Sequence, residues 1–411
     1  MMNQTYTRIL ARGRTLPWQW IAPALVVAVA VVSVVVATRP GGSGGAAGAP
    51  SAARRAGGTP GVAPVRLTIR PADGAAQVRL DAKVRVTADA GVLQSVRVVS
   101  ADGGRLAGKL GADQRGWRSV APLAPDARYT VEVVAADAAG AAVRRSSSFT
   151  TLQPTGELRT SIMPLDGETV GVGMPIAVWF NQPVRDKAAV ERHLRVTSSS
   201  DVLGAWHWFG DDEVRYRPKD YWPAGERVTL DAALAGVDAG GGVWGVRSRT
   251  ISFKVGTQRI STVNVTAHRM TVTEGGRTVR MMPASTGRDK YPTTDGYHTV
   301  LGKERERIMD SANTDLPQSE HYRVRVQWAV RISNTGEFVH SAPWSVGAQG
   351  RANVSHGCVN LSPDNARWFF ARSRRGDIVH VLGSPRKPGQ NEGLLEWNRS
   401  WSAWLSGSAL A

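Results

Sequence analysis

A hexapeptide that occurs twice sets the tightest limit on how this chain can fold. Ile69-Arg70-Pro71-Ala72-Asp73-Gly74 returns 93 positions later as Ile162-Met163-Pro164-Leu165-Asp166-Gly167. Pro125, with Arg128 and Thr130 behind it, is echoed 98 positions on by Pro223, with Arg227 and Thr229. Ser148-Phe149-Thr150 returns as Ser252-Phe253-Lys254 at an offset of 104. Three landmarks in the same order imply a duplicated unit. Inside each copy, short alternating segments such as Val65-Arg66-Leu67-Thr68-Ile69 and Ala177-Val178-Trp179-Phe180 are separated by turns at Asp73-Gly74, Asp102-Gly103 and Asp166-Gly167. Alternation broken by Asp-Gly turns predicts an antiparallel sandwich of about 90–100 residues. Most of the chain is therefore expected to be β, with one module over residues 64–152 and a second over 153–256.

These modules are immunoglobulin-like in architecture only, because the 411 residues contain a single cysteine and no disulfide can join two sheets. The second copy gathers Trp206, Trp208, Phe209, Tyr216, Tyr221 and Trp222, expected to fill its core and pack on the next domain. Neither copy shows a paired-acid or nucleophile constellation, so both read as spacer and scaffold.

The amino-terminal part reads as an address. Residues 1–17 form a basic segment with Arg8, Arg12 and Arg14 and no acid, and residues 18–38 follow without a charge. Such a run is long enough to span a bilayer as a signal-anchor helix, and the positive flank keeps the amino terminus inside the cell. The rest is then expected on the cell-wall side of a single-pass cell-membrane protein, or secreted if the chain is cut near Ala37. Residues 39–63, rich in Gly, Ala and Pro, read as a flexible linker. Lys and Arg number 51 against 34 Asp and Glu, a net charge of +17, which suits polyanionic surroundings. No zinc-finger spacing and no basic run interleaved with aromatics is present, so nucleic acid is not an expected partner.

From about Thr257 a third domain is expected, over 257–384, with strands in 260–272, 277–282, 323–332 and 378–382. Turns are expected at Thr286-Gly287 and Asp295-Gly296, and a helix over 364–375, started by Ser362-Pro363 and stopped by Gly376. The tail, 385–411, carries Trp397, Trp401 and Trp404 on one helical face, expected to dock on this domain. The sole cysteine, Cys358, lies in V-H-S-A-P-W-S-V-G-A-Q-G-R-A-N-V-S-H-G-C-V-N-L-S-P, with His340 and His356 nearby. An imidazole can take a thiol proton and leave a nucleophile, and the N–H groups of Gly357 and Cys358 are natural oxyanion donors. Either histidine could serve as base. A metal is not expected, since His340, His356, Cys358 and His321 lack paired ligand spacing.

His340-Ser341, followed fourteen positions after Ser341 by Ser355-His356-Gly357-Cys358-Val359-Asn360, resembles the signature of the L,D-transpeptidase catalytic domain. The resemblance extends to Ile308-Met309-Asp310-Ser311, Tyr322-Arg323, the run Phe338 to Gly350 and Gly376-Asp377-Ile378-Val379, and the anchor, two modules and Trp-rich tail resemble actinobacterial members. It implies a cysteine acyltransferase without cofactor, with Cys358 as nucleophile and His340 as base, the latter held by Ser341. It further implies that His356, Gly357, Asn360 and Tyr322 shape the oxyanion site and loop. Met309, Tyr322, Ser341, Trp344 and Asn360 would meet substrate. The implied reaction joins peptidoglycan stems: Cys358 takes the acyl group of a tetrapeptide donor with loss of D-Ala, and a neighbouring stem amine accepts it in a 3→3 cross-link. Carbapenem β-lactams are the implied inhibitors. Alternatives are an L,D-carboxypeptidase using water, or a silent wall-binding protein tethered to the membrane.

Overall fold

The repeated hexapeptide does the same mechanical job in both copies. In this computed structural model, which describes residues 63–312, 317–389 and 392–411, Asp73 Oδ1 accepts the N–H of Ser148 at 2.7 Å and Asp166 Oδ1 that of Ser252 at 2.8 Å. Gly74 and Gly167 donate their own N–H groups to the Ser148 and Ser252 carbonyls. Each Asp-Gly turn is thus latched to the Ser-Phe strand named by the repeat. The expected cytoplasmic segment, signal-anchor and linker up to residue 62 lie outside the described residues. Among the described residues no helix is long and apolar enough to cross a membrane.

Each copy is a pair of four-stranded sheets with matching order. In the first, Arg66–Arg70, Arg85–Asp89, Gly116–Ser119 and Gly108–Leu110 form one sheet, facing Ala75–Val78, Ala142–Thr151, Arg128–Ala136 and Val92–Ser100. In the second, Thr160–Met163, Ile176–Phe180, Glu213–Pro218 and Gly204–Phe209 repeat the first sheet strand for strand. Trp206, Trp208, Tyr216 and Trp222 are buried in its core as expected.

The third domain stacks a five-stranded sheet on a four-stranded one. Strand Arg259–Asn264 lies at the centre of the first, between Arg269–Glu274 and Ile378–Leu382. The expected strand 260–272 is therefore a hairpin. Its turn closes where Asn264 Oδ1 accepts the Ala267 N–H at 2.8 Å and His268 takes φ 49°. The second sheet runs Gly302–Asp310, Arg323–Arg331, Phe338–Ser341 and Val359–Leu361. Val263, Met270, Val330, Val339, Val359, Leu361 and Val381 fill the space between the sheets. Helix Pro363–Arg372 covers one side and ends three residues earlier than expected. Its next backbone groups are engaged elsewhere: Arg374 N–H donates to Asp377 Oδ2 and the Arg375 carbonyl accepts from Gly171.

That last contact joins the second module to the third domain. Gly171 and Gly173 donate to the Arg375 and Gly376 carbonyls at 2.7 and 2.9 Å, and Arg375 pairs with Glu168 at 2.9 Å. The tail then returns to the second module rather than docking mainly on the third domain. Arg217 lies about 5 Å from the ring centroids of Trp397, Trp401 and Trp404 (4.8, 5.2 and 5.0 Å). The attraction of the buried Arg217 guanidinium for these indole faces holds the tail on the second module. Gly376 takes φ 89°, and a Cβ on it would lie 2.6 Å from Met174 Cβ and 2.9 Å from the Gly171 nitrogen. Gly376→Ala is expected to lower unfolding stability by about 2 kcal/mol or more, measured by urea denaturation, because it combines a left-handed backbone with a backbone clash.

Candidate active site

The parallel pairing of Phe338–Ser341 with Val359–Leu361 sets His340 directly beside Asn360 and brings Cys358 to the mouth of the sheet. The seventeen residues between these strands form the loop that carries Trp344 and Ser355. His340, Cys358, Asn360, Ser355, His356, Trp344, Tyr322 and Met309 all line one cavity of about 580 Å³. Met309 and Tyr322 come from the two legs of the hairpin formed by Gly302–Asp310 and Arg323–Arg331, where the Ser311 hydroxyl accepts the Tyr322 N–H at 2.8 Å. Trp344 stands 56% exposed at the rim.

His340 is buried, and its Nδ1–H donates to the Ser341 carbonyl at 2.9 Å. That bond assigns the proton to Nδ1 and leaves Nε2 as the lone-pair nitrogen. Burial holds the imidazole below its ordinary pKa, with the Ser341 carbonyl pulling the other way. The Cys358 thiol donates to the Gly336 carbonyl at 3.7 Å. Burial pushes that thiol up to about 12; the Phe338 amide opposes this, Glu337 adds to it, and Arg331 opposes it. Both shifts favour the neutral forms.

His356 is held differently. Arg288 Nη2 donates to His356 Nε2 at 2.9 Å and to Glu320 at 2.6 Å. The ring lies between Tyr291 and Tyr322, with centroids 5.2 and 5.0 Å away. Burial and then the Arg288 charge lower its pKa, Glu320 working against them. Its Nε2 lone pair is already occupied.

The loop backbone is fixed from beneath. Gly357 takes φ 123°, a region that favours glycine. Its N–H, expected to face an oxyanion, donates instead to Ser355 Oγ at 3.1 Å. The Ser355 hydroxyl in turn donates to the Cys358 carbonyl at 2.6 Å. The Gly357 carbonyl accepts from buried Thr293 Oγ1 at 2.7 Å, while that oxygen accepts the Gly287 N–H at 2.9 Å. In a trans peptide the C=O and the following N–H point in opposite directions. Pinning the Gly357 carbonyl on Thr293 therefore turns the Cys358 N–H away from the buried side. Thr294 next door donates its N–H and its hydroxyl to Glu337 Oε1 at 2.8 and 3.0 Å, and Arg386 pairs with the same oxygen at 2.9 Å. Asn360 Nδ2 donates to Ser345 Oγ at 3.1 Å, and its backbone pairs with Ser285 in both directions.

Thr293, Glu337, Arg288 and Ser345 were not legible as site residues. Thr293 and Thr294 precede the Asp295-Gly296 turn and read as part of it, and nothing in the sequence brings residues 64 positions apart together.

A thiol, a tautomerically fixed imidazole and an aimed backbone amide on a two-sheet domain behind two sandwiches define an acyl-transfer type of site. Residues 258–381 match the family profile described as the L,D-transpeptidase catalytic domain, and residues 75–238 match the one described as a bacterial Ig domain. L,D-transpeptidase 2 of Mycobacterium tuberculosis is 40% identical over 350 residues, 84% of this chain and 85% of that protein. L,D-transpeptidase 5 of the same species is 36% identical over 353 residues, 84% of this chain and 77% of that protein. A solved L,D-transpeptidase in complex with imipenem is 39% identical, covered in full over 56% of this chain, with a TM-score of 0.49. The chain belongs to the L,D-transpeptidase family.

Arg288→Met is expected to raise the pKa of His356 toward the ordinary imidazole value, since it removes a nearby positive charge and the donor on Nε2. An NMR titration of the ring protons checks this; an unchanged midpoint would mean that Arg288 does not hold that nitrogen in solution.

Proposed function

We propose that this chain makes 3→3 cross-links in peptidoglycan through a thioester on Cys358. The cysteine sulfur attacks the carbonyl of the third residue of a tetrapeptide stem while His340 Nε2 takes the thiol proton. The developing oxyanion meets the Cys358 N–H. The carbon–nitrogen bond to D-Ala breaks, and the His340 proton passes to the leaving amine. A side-chain amine of a second stem then attacks the thioester, gives a proton to His340, and the thiolate recovers it as the new amide forms. Tyr322, Met309, Trp344 and Asn360 shape the cavity in which both stems sit. The chain works on the wall side of the cell membrane, held there by residues 18–38.

The observation that carries this reading is the Nδ1–H bond of His340 to the Ser341 carbonyl, which leaves Nε2 available to a thiol in the same cavity. His356 is a poorer base because Arg288 already donates to its Nε2. His340 and His356 thus divide into a base and a fixed wall of the oxyanion site.

A carbapenem has a strained amide carbonyl that a thiolate opens, so it reports on the nucleophile without a stem. Incubation should add one carbapenem mass to the full chain, and Cys358→Ala should show none; 3→3 dimers formed by Cys358→Ala from purified stems would overturn the assignment. His340→Gln should keep the fold and slow acylation by about 10²–10⁴-fold. Because burial lowers the His340 pKa, its basic form persists below the ordinary value of about 6.5. The acid-side fall in acylation rate should therefore have its midpoint below pH 6.5; a midpoint at or above 6.5 would count against His340.

Thr293 supports the same step from beneath. Thr293→Val should leave the Gly357 carbonyl without its donor and slow acylation by roughly ten- to a hundredfold. Thr293→Ser keeps the hydroxyl and should stay close to wild type; if Val and Ser behave alike, the hydroxyl does not aim the amide.

A further inference from the structure

The duplication allows one copy to be used as a guide to the other. In the second copy, the outward face of the first sheet is occupied. Met163, Ala177, Arg215 and His207 stand opposite one another across its strands. The tail lies on this row: Arg215 pairs with Glu396 at 2.5 Å, and His207 stacks on Trp404 with centroids 4.7 Å apart. The equivalent row in the first copy is Arg70, Arg85, Arg118 and Lys109, each directly opposite the next. All four are exposed, because the alternate residues Ile69, Val86 and Trp117 turn inward.

Like charges placed directly opposite on neighbouring strands repel. Four in a row, one per strand, form a file of cations about 14 Å long at ordinary strand spacing. None of the four makes an ion pair or side-chain hydrogen bond with a described residue. A sheet face that costs stability in the free protein, and that in its duplicate serves to grip a segment, is a surface waiting for an opposite charge.

We propose that the Arg70–Arg85–Arg118–Lys109 row docks a linear phosphodiester polyanion of the cell wall. The shape of the charge selects a chain over a lipid surface. Along the strands, the next row is Thr68, Thr87 and Gly116, and beyond it Arg66 faces Asp89. Single cations flank the row, Arg66 opposite Asp89 and Lys83 with its Nζ donating to the Val120 carbonyl at 3.2 Å, so positive charge is densest along one line across the strands, where a polymer can lay successive phosphates. A bilayer would press its headgroups on the neutral row and on Asp89 as well. The inference concerns the first module; it rests on the wall-side placement proposed above and not on the chemistry assigned to Cys358.

The test uses the full chain in neutral-detergent micelles, with poly(glycerol phosphate) as probe, and the fourfold variant R70Q/R85Q/K109Q/R118Q. The variant should lose roughly tenfold or more in affinity, and its plot of log affinity against log salt should be shallower by about 3, one phosphate contact per cation. It should melt at or above the wild type, since opposed charges are gone, and should cross-link isolated stems at the wild-type rate. If the fourfold variant does not fold, the end pair R70Q/K109Q is expected to give a slope change of about 1.4. Equal affinity and slope for variant and wild type would overturn the proposal. So would a variant that binds the polymer normally but loses binding to phosphatidylglycerol-doped micelles, which would make the face a lipid contact.

Discussion

The hydrogen bond from Thr293 to the Gly357 carbonyl is the constraint on which the site depends. A peptide plane is rigid, so fixing one end of it fixes the other. The hydroxyl holds the carbonyl on the buried side, and the planar bond does the rest by aiming the Cys358 amide. Glycine at 357 is what lets the chain take φ 123° there. The hydroxyl is itself held: its oxygen accepts from Gly287, its neighbour Thr294 is bound twice by Glu337, and Arg386 neutralises that carboxylate. Thr293, Thr294 and Glu337 are buried, where an unmade hydrogen bond costs about 1–3 kcal/mol, so the arrangement resists local rearrangement.

The same logic of backbone contact joins the domains. Gly171 and Gly173 present bare backbone to the turn at Arg375 and Gly376, and Glu168 pairs with Arg375 across the same junction. The tail closes a second connection, with the Trp397 indole donating to the Gly173 carbonyl and Asn398 Nδ2 donating to the Tyr297 carbonyl. Two separate routes therefore tie the second module to the third domain. The first module has fewer ties to the second, among them the Arg79 pair with Asp238 and its stacking on Trp244.

Local regularities in the sequence carried over well. The repeat landmarks correspond to equivalent strands because they encode a turn and the strand it latches, both short-range features. Strand Ile378–Leu382 and the proline-started helix were legible for the same reason. The cavity residues from His340 to Asn360 were legible through their motif. What sequence could not carry is pairing over distance: Thr293 under Gly357, Arg288 on His356, and the tail's turn toward Arg217 each join segments from 64 to more than 180 positions apart. The Gly357 amide departs from expectation for a local reason: Ser355, two residues earlier, supplies an acceptor that an isolated glycine would lack.

Burial pushes the resting Cys358 thiol up to about 12 and holds the His340 imidazole below its ordinary value, which disfavours a thiolate–imidazolium pair. Both shifts come first from burial, which penalises each charged form. The thiol instead rests on the Gly336 carbonyl, a neutral contact that keeps it protonated. In the reaction proposed above, proton transfer accompanies attack, and the negative charge passes from sulfur to a carbonyl oxygen that meets the Cys358 amide. A site of this kind depends less on a reactive thiol than on a donor already in place for the charge that forms. That is why the buried framework around Thr293 matters as much as the cysteine it supports.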